Sequence, residues 1–142
     1  MKYLLTILLL ISLNLSAQKP WKVITFYSSS ILLNATGDAL NDSGQKEWGH
    51  FCNATSVGVL LTTPFLIDYQ KKKWGWYIAS YVGLRIGLFD YTYNAVRGNS
   101  LNYIGGTSTW DKTLKAMNPP NTYLGRAVFL TVGIAIPINE LK

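Results

Sequence analysis

LRIGLFDYTYNAVRG, residues 84–98, places an arginine and an aspartate inside a long apolar run and a second arginine where that run ends. Asp90, Asn94 and Arg97 fall at i, i+4 and i+7, which puts them on one stripe of an α-helix. Isolated charges in apolar surroundings are costly unless they are paired or hydrated. The stretch therefore reads as helix, and it requires other segments to bring polar partners to it.

The segments on either side repeat the pattern of apolar helix with small or polar residues at helical spacing. Trp74–Gly98 runs without a clear stop and carries Gly75, Ala79, Gly83 and Gly87 four residues apart. In water those positions would cost a few kcal/mol of helix propensity, whereas in lipid they make a packing seam. Trp48–Ile67 has Ala54, Gly58 and Thr62 at the same spacing, and Pro64 predicts a kink or a shortened last turn. The two small-residue stripes are expected to face each other in a tight helical hairpin around Lys71–Lys73. Upstream, Trp21–Leu40 is apolar but studded with Ser28, Ser29, Ser30, Asn34 and Thr36. Asn34, Asp38 and Asp42 are four apart and share one helical face, and Asn41–Gly44 signals a turn. Downstream, Asn99–Asn121 is turn-rich and encloses a short helix to Met117, with Ser108 and Asp111 as its capping box. Pro119 and Pro120 end that helix, and Thr122–Asn139 is a last apolar helix with Arg126 near its start.

Composition points the same way. Hydrophobic residues make up 49% of the 142 and charged residues 14%, against roughly 25% charged in ordinary soluble domains. A mean hydropathy of +0.14 pulls against a strongly multi-spanning protein. The net charge of +6 comes with one dense basic cluster, Lys71–Lys73, abutting Trp74. That is the pattern of a membrane-surface anchor, and no nucleic-acid recognition motif accompanies it. Cys52 is the sole cysteine, which excludes an intrachain disulfide. Met1–Ala17, with Lys2, the apolar Leu4–Leu13 and Leu15-Ser16-Ala17, reads as a secretory signal peptide. Residues 18–142 then form a single helical membrane domain. The expected fold is all-α: a small helical membrane bundle of three or four short apolar helices after a signal peptide. A cleaved leader puts the mature amino terminus outside. If Trp21–Leu40 then spans, Lys71–Lys73 falls outside, against the positive-inside rule. If that segment lies in the interface, the lysines fall inside and the 99–121 loop outside.

The candidate site joins Asp38, Asp42 and His50 from one region to Arg85, Asp90, Asn94 and Arg97 from another. Arg85 lies on a different helical face from Asp90, and its expected partner across the bundle is Asp38 or Asp42. In the first reading these residues are a buried polar cluster with a structural or accessory role, or one that binds a lipid or protein partner through Arg85, Asn94, Arg97, Tyr103 and Asp111. Tyr91, Tyr93, Tyr103 and Trp110 then form an interfacial aromatic belt. The alternative is a membrane-embedded metal-dependent hydrolase or lipid-modifying enzyme with Asp38, Asp42, His50 and Asp90 as catalytic candidates. There Asp38, Asp42 and His50 would hold a divalent metal, one carboxylate would activate water and an arginine would bind phosphate. The first reading expects no cofactor. The expected partners are membrane lipid and a protein partner or second copy of the chain, with nucleic acid excluded.

Arg85–Gly98 (R-x-x-L-F-D-x-x-Y-N-x-x-R-G), followed by Tyr103-x-Gly105 and Ser108-x-x-Asp111-Lys112, resembles uncharacterised small exported bacterial proteins built of a leader and apolar helices. The Asp38…Asp42…His50 spacing is similar too. The resemblance covers most of the chain after the leader, and the secretory leader with the apolar helices gives the expected location, a bacterial inner membrane facing the periplasm. It carries no known activity.

Overall fold

The computed structural model describes residues 19–105, 109–116 and 119–141. The predicted leader, Met1–Ala17, lies outside them, as does Ser108, the expected cap. The described residues are all-helical. They comprise α1 (Lys19–Asp42), α2 (Lys46–Leu66), a 3-10 turn (Lys71–Lys73), α3 (Trp74–Arg97), the short α4 (Thr109–Ala116) and α5 (Pro119–Glu140). Pro119 and Pro120 open α5 instead of only closing the helix before it. The first turn of a helix leaves its N–H groups unpaired, so a residue lacking one is tolerated there. Pro64 acts as expected, and α2 stops two residues beyond it at Leu66.

Two chain reversals build the end of the bundle that matters for function. Gly44 and Gly98 both have positive φ, 83° and 68°. At α1 the Gln45 N–H reaches the Leu40 carbonyl at 2.9 Å and the Gly44 N–H the Asn41 carbonyl at 3.0 Å. At α3 Asn99 reaches Asn94 at 2.9 Å and Gly98 reaches Ala95 at 3.3 Å. Both are Schellman closures, in which a glycine takes the left-handed position that a Cβ disfavours.

α1 is the central helix. It packs against α2 on one side and α3 on the other, and α5 covers α3 and touches α1. Antiparallel α1 and α2 are tied by reciprocal serines, Ser30 Oγ to the Ser56 carbonyl at 3.0 Å and Ser56 Oγ to the Ser30 carbonyl at 2.8 Å. They are also in backbone contact, since a Cβ on Gly37 would stand 2.8 Å from the Gly49 oxygen. α3 and α5 cross as closely, with Gly83 against Phe129 and Gly133, and Ser80 Oγ donating to the Gly133 carbonyl at 2.8 Å. The apolar core is formed by Val23, Phe26, Tyr27, Ile31, Ile67, Tyr77, Leu84 and Leu141. It concentrates toward the end away from the two glycine reversals.

Two expectations need correcting. The small-residue stripes of α2 and α3 do not face each other: Ala54, Gly58, Thr62 and Gly75 are exposed, and Gly58 and Gly75 have nothing within 4 Å. α1 separates the two helices. α2 buries instead Gly49, Ser56 and Thr63, with Asn53 and Leu60 half-buried between them, a 4-3-4-3 spacing that follows one helical face. The second correction concerns the apolar spans. Of the described helices one, Thr122–Glu140, is long and apolar enough to cross a membrane, with mean hydropathy 1.3. The expected bundle of three or four short apolar spans is not supported, because serine, threonine and asparagine at the helix contacts of α1 and α2 lower their hydropathy. Nor are the main helices short, at 21 to 24 residues.

Candidate binding cleft

Asp38, Asp42, Arg85, Asp90, Asn94, Tyr103 and Asp111, seven of the nine residues singled out above, line one open cleft of about 840 Å³. That volume is within the range of small-ligand sites. The cleft lies at the glycine-reversal end, between the last turns of α1, the second half of α3, the start of α5 and the 103–105 segment. Asn94 shapes its rim. Buried to 2% exposure, its Nδ2 donates to the Tyr103 carbonyl at 2.9 Å and the Leu101 carbonyl at 3.3 Å, folding the chain after Gly98 back over the site. Gly105 then sits so close to Asp111 that a Cβ would stand 2.6 Å from its Oδ2.

His50 and Arg97 are not brought in. His50 lies on the outer side of α2, exposed to solvent. Gly49, in the first turn of that helix, is buried against Asn41 and Gly37 and the neighbouring His50 points outward, so closeness in sequence does not become closeness in space. Arg97 is exposed and donates to Ser43 Oγ at 2.9 Å, clasping the two reversals together. Among the described residues no group of three or more histidine, cysteine, aspartate or glutamate side chains converges to hold a metal. The Asp38, Asp42, His50 ligand set is therefore not assembled here.

The charges meet partners other than those expected. Arg85 does not pair with Asp38 or Asp42. Its Nη1 donates to Asn34 Oδ1 at 2.9 Å, and its guanidinium rests over Phe89 at 4.6 Å. Asn34 Nδ2 donates onward to Asn53 Oδ1 at 3.0 Å, and Asn53 Nδ2 to Asp38 Oδ1 at 2.8 Å. Two amides thus link arginine to carboxylate across three helices. Gly37 leaves the space the Asn53 amide fills, and Gly49 does the same for Asn41. Asp42 accepts a short hydrogen bond from the Tyr93 hydroxyl. That bond, with partial burial, pushes the phenol up to about 12, so Tyr93 stays protonated at neutral pH.

Arg126 is the functional residue that the sequence reading placed only near a helix start. It is 2% exposed, and its Nη2 pairs with Asp90 Oδ2 at 2.6 Å. The Tyr91 ring lies 5.3 Å from the guanidinium carbon. Its Nε and Nη1 are buried and make no hydrogen bond. The available signal was a lone guanidinium within the one helix apolar enough to span. The expected aromatic belt is redistributed as well: Tyr91 and Tyr93 serve Arg126 and Asp42, while Tyr103 stays exposed.

Chemically, the cleft offers two guanidinium groups and twice as many carboxylates. No family model, curated protein or solved structure matches this chain.

Proposed function

We infer that this is a small exported membrane protein, seated in a bacterial inner membrane, whose cleft holds a polar ligand at the membrane surface. One observation carries the reading: the distribution of exposed apolar side chains along the bundle. Trp21, Trp74 and Trp76 are exposed at the Lys71–Lys73 end, and Trp48 and Tyr103 at the cleft end. Between them Val57, Leu61, Ile78, Val82, Val128 and Val132 are exposed. Aromatic residues at two levels with aliphatic side chains between them suit the two interfaces and the hydrocarbon of a bilayer. From Trp48 to Leu66 the helix rises roughly 27 Å, close to the about 30 Å of a hydrocarbon core. Large exposed apolar surfaces of this kind mark a lipid or protein contact.

The band leaves Asp42, Tyr93 and the cleft mouth in the aqueous layer and the basic Lys71–Lys73 turn at the opposite surface. Carbonate extraction of membranes carrying the full chain tests the reading. Retention in the pellet is the expected result. Release as a monodisperse, detergent-free monomer would end it.

A further inference from the structure

Arg126 presents an imbalance. A guanidinium has five N–H donors, yet at 2% exposure this one gives a single nitrogen to Asp90 and leaves Nε and Nη1 unsatisfied. Leaving donors of a buried charged group unpaired carries a substantial desolvation penalty. Arg85, which lines the same cleft from the α1 side, has an amide oxygen for a partner in place of a carboxylate. On α1 Asp38 accepts from an amide and Asp42 from a phenol. The Asp90–Arg126 contact is a direct ion pair, whereas Arg85 reaches Asp38 only through Asn34 and Asn53. Asp38, Asp42 and Arg85 thus line one open cleft with no direct ion pair among them.

We propose that the cleft binds a phosphate–ammonium zwitterion of the phosphoethanolamine type, with its phosphate on Arg126 and Arg85 and its ammonium on Asp38 and Asp42. A lone anion would face an excess of carboxylates, and a lone cation would leave Arg126 unsatisfied. The arginine fork matches phosphate oxygens bidentately, and a compact ammonium brings three donors to the carboxylates. The proposal deepens the binding role given to the cleft above, and it names chemistry that two sources could supply: a phospholipid headgroup or the free soluble compound.

The full chain in detergent is titrated calorimetrically with O-phosphoethanolamine, inorganic phosphate and ethanolamine. It is also reconstituted in nanodiscs of mixed phosphatidylethanolamine and phosphatidylglycerol, and its retained lipid is read by native mass spectrometry. O-phosphoethanolamine should bind about tenfold more tightly than either half alone, the worth of one charge-assisted contact. Asp38→Asn and Asp42→Asn should remove that advantage while leaving phosphate binding in place. Arg85→Gln should weaken both phosphate-bearing probes, and it supplies the arginine test should Arg126→Lys fail to fold by circular dichroism. Selective retention of phosphatidylethanolamine identifies the lipid source. Binding of the soluble probe without lipid preference identifies the free compound. Equal affinity for phosphate and O-phosphoethanolamine, or no probe bound and no lipid preference, overturns the proposal. A chain washed off by carbonate that still binds O-phosphoethanolamine would lose its membrane reading and keep its ligand. An embedded chain without selectivity would do the reverse.

Discussion

Removing the Asp90 carboxylate would leave Arg126 with its charge buried and its single ionic partner gone. Breaking a fully buried pair from one side costs about 3–5 kcal/mol. Asp90 keeps 25% exposure, so water compensates in part, and Asp90→Asn should cost about 2 kcal/mol. Thermal melting of the detergent-solubilised protein reads this directly. Replacing both partners by apolar residues, Asp90→Leu with Arg126→Met, should recover most of the loss, because the uncompensated charge goes with the pair. If Asp90→Asn and the double variant both melt with the wild type, the pair has no structural weight. Helical spacing made Asp90 and Asn94 legible, and it set Arg85 on a different face. The structure gives Asp90 to α5 and Arg85 to α1. Arg126 was not legible as a site residue, since its lone guanidinium marks it as unusual in α5 but its partner lies on another helix. The Asn34–Asn53 relay was hidden for a related reason. An amide has no charge to draw attention, and its role depends on which helix comes to face it.

At the scale of elements, four-residue spacing of small residues identifies a seam without saying which seam is used. Gly83 and Gly87 lie in one, but against α5. A Cβ on Gly83 would sit 2.7 Å from the Phe129 carbonyl oxygen and 2.9 Å from Gly133 Cα, all backbone with no flexible side chain to yield. Gly83→Ala should therefore cost about 1–3 kcal/mol by overpacking and loosen the α3–α5 crossing that presents Arg126 to Asp90. Gly58→Ala and Gly75→Ala meet nothing within 4 Å and should be neutral or gain up to about 1 kcal/mol of helix propensity. Melting curves of the three variants, taken side by side, separate the seam in use from the idle one. A Gly83→Ala protein as stable as its Gly58→Ala counterpart would contradict the crossing. The face α2 does use, through Gly49, Asn53, Ser56 and Thr63, was obscured because small polar residues read as surface. Here they are the contact, as suits helices that meet through short side chains and hydrogen bonds.

For the molecule as a whole, the proposed membrane seating leaves one unknown, its orientation. α1 and α3 run parallel, so Lys19 and Lys71–Lys73 share an end and the cleft occupies the other. The sequence left two arrangements open, and the one with the lysines inside needs α1 to lie apart in the interface. Ser30 with Ser56 and Gly37 with Gly49 instead hold α1 along the length of α2. An exported amino terminus would then carry the three lysines outward with it. The first segment usually dominates topology, and three lysines bias orientation without dictating it. In a Cys52→Ser background, Lys72→Cys should react with a membrane-impermeant maleimide in intact spheroplasts. Asn102→Cys, exposed on the cleft side, should react only after permeabilisation. The opposite pattern would turn the cleft to the periplasm and show that the basic turn, not the leader, sets the orientation. Labelling of both positions in intact spheroplasts would mean that the bundle does not cross at all.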